Sequence, residues 1–238
     1  MPDELESVPD NPELLYDDRN GDHISCALPY NQGDIFRCGR IEGHECFVML
    51  FMHPCTMRSG VGIREHQTVI KVTQRSSKKV LAGNAHWVRD FKVMPLPDLL
   101  DDGKSAYQGD FMSIWTLPSS QLPRTERIAQ LSQLGRRIFQ QRLIFHLTRF
   151  APSLDVLAEA CRPVDAEIEL QAEWVAMGMR HKNSDQLSLI EKLENDFDEF
   201  LRQKMEGDDL SVRDLLGKDE YASEAQKYVY SEIQRRFS

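Results

Sequence analysis

Two pairs of residues with metal-ligand and nucleophile chemistry stand close together in this chain, His44-x-Cys46 and His53-x-Cys55. Imidazole nitrogens and thiolates that share a zinc ion must each come within about 2.0–2.3 Å of it. On a straight strand rising about 3.3 Å per residue, positions 46 and 53 lie roughly 23 Å apart. The two pairs therefore cannot hold one metal. Cys38 can join His44 and Cys46 across a hairpin, but facing thiols in a reduced protein ordinarily behave as small buried apolar groups. No metal site and no cofactor is expected.

The second pair raises a separate question, because Cys55 follows the most apolar run of the chain, Met49-Leu-Phe-Met52, and the strand-ending His53-Pro54. A nucleophilic thiol needs thiolate character from a nearby base, a cation or a helix N-terminus. His53 and Arg58 are near in sequence, but no Asp or Asn follows at a spacing that would orient the imidazole. The residues favour a loop-forming Cys55, and the roles of His53 and Cys55 stay open at this point.

Cations form the third chemistry. Lys71, Arg75, Lys78, Lys79, Arg89 and Lys92 fall on or between two expected strands, beside Trp87 and Phe91. Such a face would bind phosphates without sequence preference and stack unpaired bases on its rings. A second group, Arg124, Arg127, Arg136, Arg137, Arg142 and Arg149, lies among few acids. Solvated surface faces account for both groups as readily as a ligand does.

These residues need elements to position them. From Asn31 the chain reads as strands: Ile35–Arg40 and His44–Met52 joined by Ile41-Glu42-Gly43, then Thr68–Gln74, Trp87–Leu96 and Gly109–Leu117. Residues on one side of the hairpin set the register: Phe36 faces Val48, Cys38 faces Cys46 and Arg40 faces His44. The run from Phe47 to Met52 is apolar on both faces, as in a strand at the centre of a sheet. Five short strands punctuated by Gly and Pro, with no room for crossover helices, predict a small antiparallel barrel or sandwich. Beyond Pro118 the periodicity becomes helical: Pro123 to Phe150, a short helix to Cys161, another from Asp165 to His181, one capped near Asn183–Asp185, and a last one from Glu220 to Phe237.

Composition bounds the class. A chain of 238 residues with 41% apolar residues can bury a core. No window reaches the roughly 18 consecutive apolar residues of a membrane span, and the acidic N-terminus is unlike a signal peptide. Five cysteines without paired spacing suit a reducing compartment, so the expectation is a cytoplasmic protein with free thiols. The net charge of −9 is concentrated at one end, where residues 1–30 carry eight acids against one base. That arm is expected either to stay mobile or to dock as a strap, and an anionic arm would compete with an anionic ligand.

The order Gly33-Asp34-Ile35, His44-Glu-Cys-Phe-Val-Met-Leu50 and Val69-Ile-Lys-Val-Thr-Gln74 resembles the MazF/PemK-like toxins, small SH3-like barrels that cleave RNA. The similarity covers about residues 32–76. It implies an SH3-like fold for the barrel that the strands place over 31–117, while the charge distribution sets an acidic arm of 1–30 before it and the helical periodicity sets a helical domain over 118–238 after it. Thr73 falls where the family's catalytic Thr stands, while Glu45-Cys46 replaces its Arg-Pro. Without that cation the charge of a cleaving phosphate lacks its stabilising partner. The expectation is thus an α+β protein acting as a non-catalytic module of a bacterial toxin–antitoxin or phage-defence system, with single-stranded RNA or a partner protein as its ligand. One alternative is a metal-independent endoribonuclease using Thr73 with Arg37, Arg40 or Arg58. Another is a structural subunit that assembles through its helices as a homo-oligomer.

Overall fold

The computed structural model describes residues 5–19, 24–41, 44–75, 90–180, 187–205 and 209–237, and within 39–45 the backbone alone. It is a mixed α+β structure. The strands are β1 (Tyr16–Arg19), β2 (Ile35–Ile41), β3 (His44–Leu50), β4 (Arg58–Ser59), β5 (Gly62–Ile63), β6 (His66–Gln74), β7 (Val93–Pro97), β8 (Ala106–Pro118) and β9 (Arg127–Leu131). The helices are α1 (Pro54–Met57), α2 (Gln133–Thr148), α3 (Leu154–Met179), α4 (Leu187–Leu201), α5 (Val212–Leu216) and α6 (Asp219–Phe237). Contacts divide the chain into two units: residues 1–24, 31–57 and 64–159 in the first, and 25–30, 58–63 and 160–238 in the second.

The first unit is a curled, antiparallel seven-stranded half-barrel in the order β1-β9-β2-β3-β6-β8-β7. β3 lies fourth of the seven, and Val48, Met49 and Leu50 are all withdrawn from solvent. Because successive side chains on a strand point to opposite faces, three consecutive buried residues mean that both faces are covered. This agrees with the two-sided apolar run read from the sequence. The hairpin register also agrees at Phe36↔Val48 and Cys38↔Cys46, but a shift after Cys38 sets Ile41, rather than Arg40, opposite His44.

Three sequence expectations are corrected. Arg127–Leu131, expected inside a long helix, is a fully buried strand between β1 and β2. Ile128 and Leu131 suit a helical period and a strand equally in so short a run. Two open strand edges decide for the strand, and the Ser132 hydroxyl, accepting from the Gly135 N–H at 3.0 Å, starts α2 only afterwards. Because Ile128, Leu131, Ile138 and Phe139 share one core with Ile35, Met49 and Ile70, β9 and α2 belong to the barrel unit, and its boundary lies at residue 159 rather than 117. Finally, the helices expected on either side of Pro163 are one continuous α3 of 26 residues. The ring removes one backbone bond, and burial of Leu157, Cys161, Ala166, Ile168 and Leu170 along its length offsets that loss.

Of the arm's two expected behaviours, the described part shows docking. Leu15 and Tyr16 are buried, β1 pairs with β9, and the Tyr16 hydroxyl donates to the Pro97 carbonyl at 3.0 Å. The Arg19 guanidinium meets Asp98 at 2.9 Å and Asp101 at 2.8 Å, so the arm's single base fastens it to an acidic loop.

The second unit is built on Trp174, Phe197, Phe200, Val229 and Ile233. Within it the Arg213 guanidinium bridges Glu167 at 3.1 Å and Asp198 at 2.8 Å. The capping box of Ser211 and Asp214 starts α5.

Candidate binding groove

A groove of about 530 Å³ opens on the half-barrel, lined by Arg37, Cys46, Phe47, Lys71, Val72, Thr73, Gln74 and Tyr107. Strand pairing explains why residues 70 positions apart meet here. Arg37 is opposite Phe47 in the β2–β3 ladder, Phe47 is opposite Val72 in the β3–β6 ladder, and Gln74 is opposite Tyr107 in the β6–β8 ladder. Residues directly opposite one another share a face. Arg37, Phe47, Gln74 and Tyr107 therefore stand on one face, with Val72 as the buried floor between them.

On that face the Phe47 and Tyr107 rings, both half-buried, lie 5.6 Å apart with their planes tilted by 51°. Arg37 and Gln74 are exposed beside them. Burial pushes the Tyr107 phenol above its ordinary range, with the Asp102 carboxylate acting in the same direction, so the ring stays neutral at physiological pH. A fixed cation, two aromatic surfaces and one amide thus face a common space.

Thr73 is on the groove's lining but follows Val72 directly, so its side chain belongs to the opposite face, shared with Lys71. There Lys71 Nζ lies 5.5 Å from the centre of the Trp115 ring, a cation–π contact. Asp110 is opposite Lys71 in the ladder. The regular pairing from Arg37 through Phe47 to Val72 separates the Arg37 side chain from that of Thr73 by a strand's thickness. Arg58 lies in the second unit, buried, with its guanidinium donating to the Val61 carbonyl at 3.2 Å and to the Gln171 amide oxygen. It is a structural cation there, held by a chain that continues from Gln171 to Glu194 at 2.6 Å.

The other residues singled out in the sequence are scattered. Arg75 is half-buried and 3.7 Å from Asp90, and Lys92 is exposed next to β7. Lys78, Lys79 and Arg89 lie outside the described residues, as does the Arg40 side chain. The second arginine group does not form one binding face, because Arg127, Arg136, Arg137 and Arg142 are buried while Arg124 is half-buried and Arg149 exposed. Arg142 donates to the Val93 carbonyl at 3.0 Å and the Asp90 carbonyl at 2.8 Å. Burial pulls its pKa down to about 10. Arg136, donating to the Leu131 carbonyl at 2.8 Å, and Arg142 tie α2 to the sheet. Among the described residues no three His, Cys, Asp or Glu side chains gather as a metal would require.

Phe47, Gln74 and Tyr107 were missed by sequence reasoning because nothing in a linear chain distinguishes them. A half-buried aromatic on a strand is ordinary core lining until its cross-strand neighbour is known. No protein-family model matches this chain, and no curated protein matches it.

Proposed function

We propose that the half-barrel is a non-catalytic binding module that holds an extended strand of single-stranded RNA in this groove. The observation that carries the reading is the shared face of Arg37, Phe47, Gln74 and Tyr107. Stacking on an aromatic side chain contributes about 1–3 kcal/mol per base and tolerates any base, and a neighbouring cation meets the phosphate. Lys71 and Trp115 form a second cation–aromatic pair on the opposite face of the sheet, apart from this groove face.

The resemblance to SH3-like barrels of the MazF/PemK kind supports a cytoplasmic role in a bacterial toxin–antitoxin or phage-defence system. The endoribonuclease reading draws on the same groove, since Arg37 and Thr73 both line it. Catalysis would need the cation and the hydroxyl to converge on one phosphate, and strand alternation turns them apart. That separation favours binding over cleavage.

Incubating the purified protein with labelled single-stranded RNA, with and without EDTA, tests the reading. Retention without cleavage is the expected result. Cleavage that survives EDTA would establish the metal-independent nuclease instead. Neither retention nor cleavage would leave a protein-binding or structural subunit.

A further inference from the structure

The stretch after β3 carries an arrangement that RNA binding does not use. His53 lies three residues past the end of β3, Pro54 begins α1, and the N–H groups of Thr56 and Met57 both donate to the His53 carbonyl, at 2.9 and 3.1 Å. This turn folds the chain so that His53 Nδ1 stands 3.0 Å from Cys55 Sγ. The turn is anchored in its own unit, because the buried Gln67 amide donates to the Met57 carbonyl at 3.0 Å and to the Arg64 carbonyl at 2.9 Å. The thiol is exposed, whereas Cys26, Cys38 and Cys161 are buried.

The imidazole is arranged to accept a proton. The Cys55 N–H also points to Nδ1, at 3.4 Å, which places the ring's own proton on Nε2 and leaves Nδ1 as an acceptor. Partial burial, with the nearby Arg137 guanidinium acting in the same direction, holds the His53 pKa below its ordinary value. The shift keeps the ring neutral and weakens it as a base, so proton transfer rests on the 3.0 Å contact of Nδ1 with Sγ. A nucleophile within hydrogen-bond reach of a neutral base is the geometry of an activated thiol.

We infer that Cys55 is an oxidation site, a thiol activated by His53 that reacts with hydroperoxides. In this step Cys55 Sγ attacks one oxygen of the peroxide, forming an S–O bond and breaking the O–O bond. The thiol proton passes to His53 Nδ1 and from there to the departing oxygen, which leaves as water from hydrogen peroxide or as the alcohol from an organic hydroperoxide. Cys55 is oxidised to the sulfenic acid and the peroxide is reduced. A hydroperoxide fits the site because it is small enough to reach an exposed thiol without being held, and its leaving oxygen asks only for the proton that His53 carries. This chemistry is independent of the RNA-binding reading.

The test treats the native protein with hydrogen peroxide at neutral pH in the presence of a dimedone-type trap, and peptide mass mapping follows the label at each of the five cysteines. An ordinary thiol is only a few per cent thiolate at pH 7, which leaves room for up to about a 30-fold gain. The label is expected on Cys55 at a rate at least about 10-fold above that of the same peptide in urea-unfolded protein, and His53→Asn is expected to remove most of that gain. The comparison of folded with unfolded wild type needs no variant, so a misfolded His53→Asn protein would not blur it. Equal rates in folded and unfolded protein, a rate unchanged in a folded His53→Asn variant, or label concentrated on another cysteine would each overturn the inference.

Discussion

Asp34 Oδ2 lies 3.5 Å from Arg127 Nη1, and neither side chain is accessible to solvent. Asp34 also accepts from the Asn31 N–H at 2.9 Å and from the Gln130 amide at 3.2 Å, while the Arg127 guanidinium lies 5.8 Å from the centre of the Phe36 ring. The pair joins the turn before β2 to β9, two segments more than 90 residues apart. Asp34→Ala would leave a buried cation without this partner, and such losses cost about 3–5 kcal/mol. Urea denaturation should show that loss for Asp34→Ala and a smaller one for the double variant Asp34→Ala/Arg127→Met, in which both charges are gone. A single variant as stable as wild type would mean that water reaches the pair.

Leu15→Ala tests the docking of the arm. Leu15 is fully buried and its carbonyl accepts from the Ser132 N–H at 2.9 Å, next to the start of α2. A loss of about 2–5 kcal/mol is expected from the missing burial and the cavity. An arm that only repelled anionic ligands would tolerate the change, and thermal melts distinguish the two.

At the end of β3, Leu50→Ala should also cost about 2–5 kcal/mol, since Leu50 is fully buried in the central strand. Cys55→Ser, five residues on and exposed, should change stability by less than about 1 kcal/mol. The midpoint of denaturant unfolding, read for both variants, checks the contrast.

RNA binding should respond differently to the two parts of the groove face. Arg37→Glu should weaken binding of any sequence and lower the slope of log affinity against log salt by about 0.7, the value of one single-strand phosphate contact. Tyr107→Ala should cost about 1–3 kcal/mol per stacked base while leaving that slope unchanged. Thr73→Val should do neither, because its side chain belongs to the other face. Fluorescence anisotropy at several salt concentrations measures all three.

Acid sensitivity is expected from α6. The Arg235 guanidinium, followed by that of Arg236, holds Glu232 well below its usual range, at about 2 instead of 4.5. A folded-state pKa depressed in this way stabilises the protein above the unfolded value and loses that contribution as the pH falls through the folded one. The stability difference between wild type and Glu232→Gln should therefore close between about pH 4.5 and pH 2. A difference that stays constant over that window would show that the ion pair does not form in solution.

Local pattern was enough to determine the strands β2, β3, β6 and β8, the pairing of Phe36 with Val48 and of Cys38 with Cys46, the centrality of β3 and the helical character of the C-terminal half. Each of these follows from periodicity and turn residues within a few positions, so neighbouring residues carry the information. What only the tertiary structure decided depends on partners far away in the chain. Arg127–Leu131 became a strand because β1 and β2 left edges for it, and α3 ran on through Pro163 because both of its halves found apolar surfaces to cover. The arginines of α2, which look like a basic face when read in line, turned inward because backbone carbonyls and the Gln140 amide were there to receive them. The groove belongs to the same class: Arg37, Phe47, Gln74 and Tyr107 share a face only through three successive ladders, and one residue of register separates Thr73 from them. His53 and Cys55 are two residues apart, yet their contact also needed the turn that α1 makes and the Gln67 anchor beneath it. Spacing along a chain constrains which side chains can meet, and the free energy of pairing and burying distant segments selects which of them do.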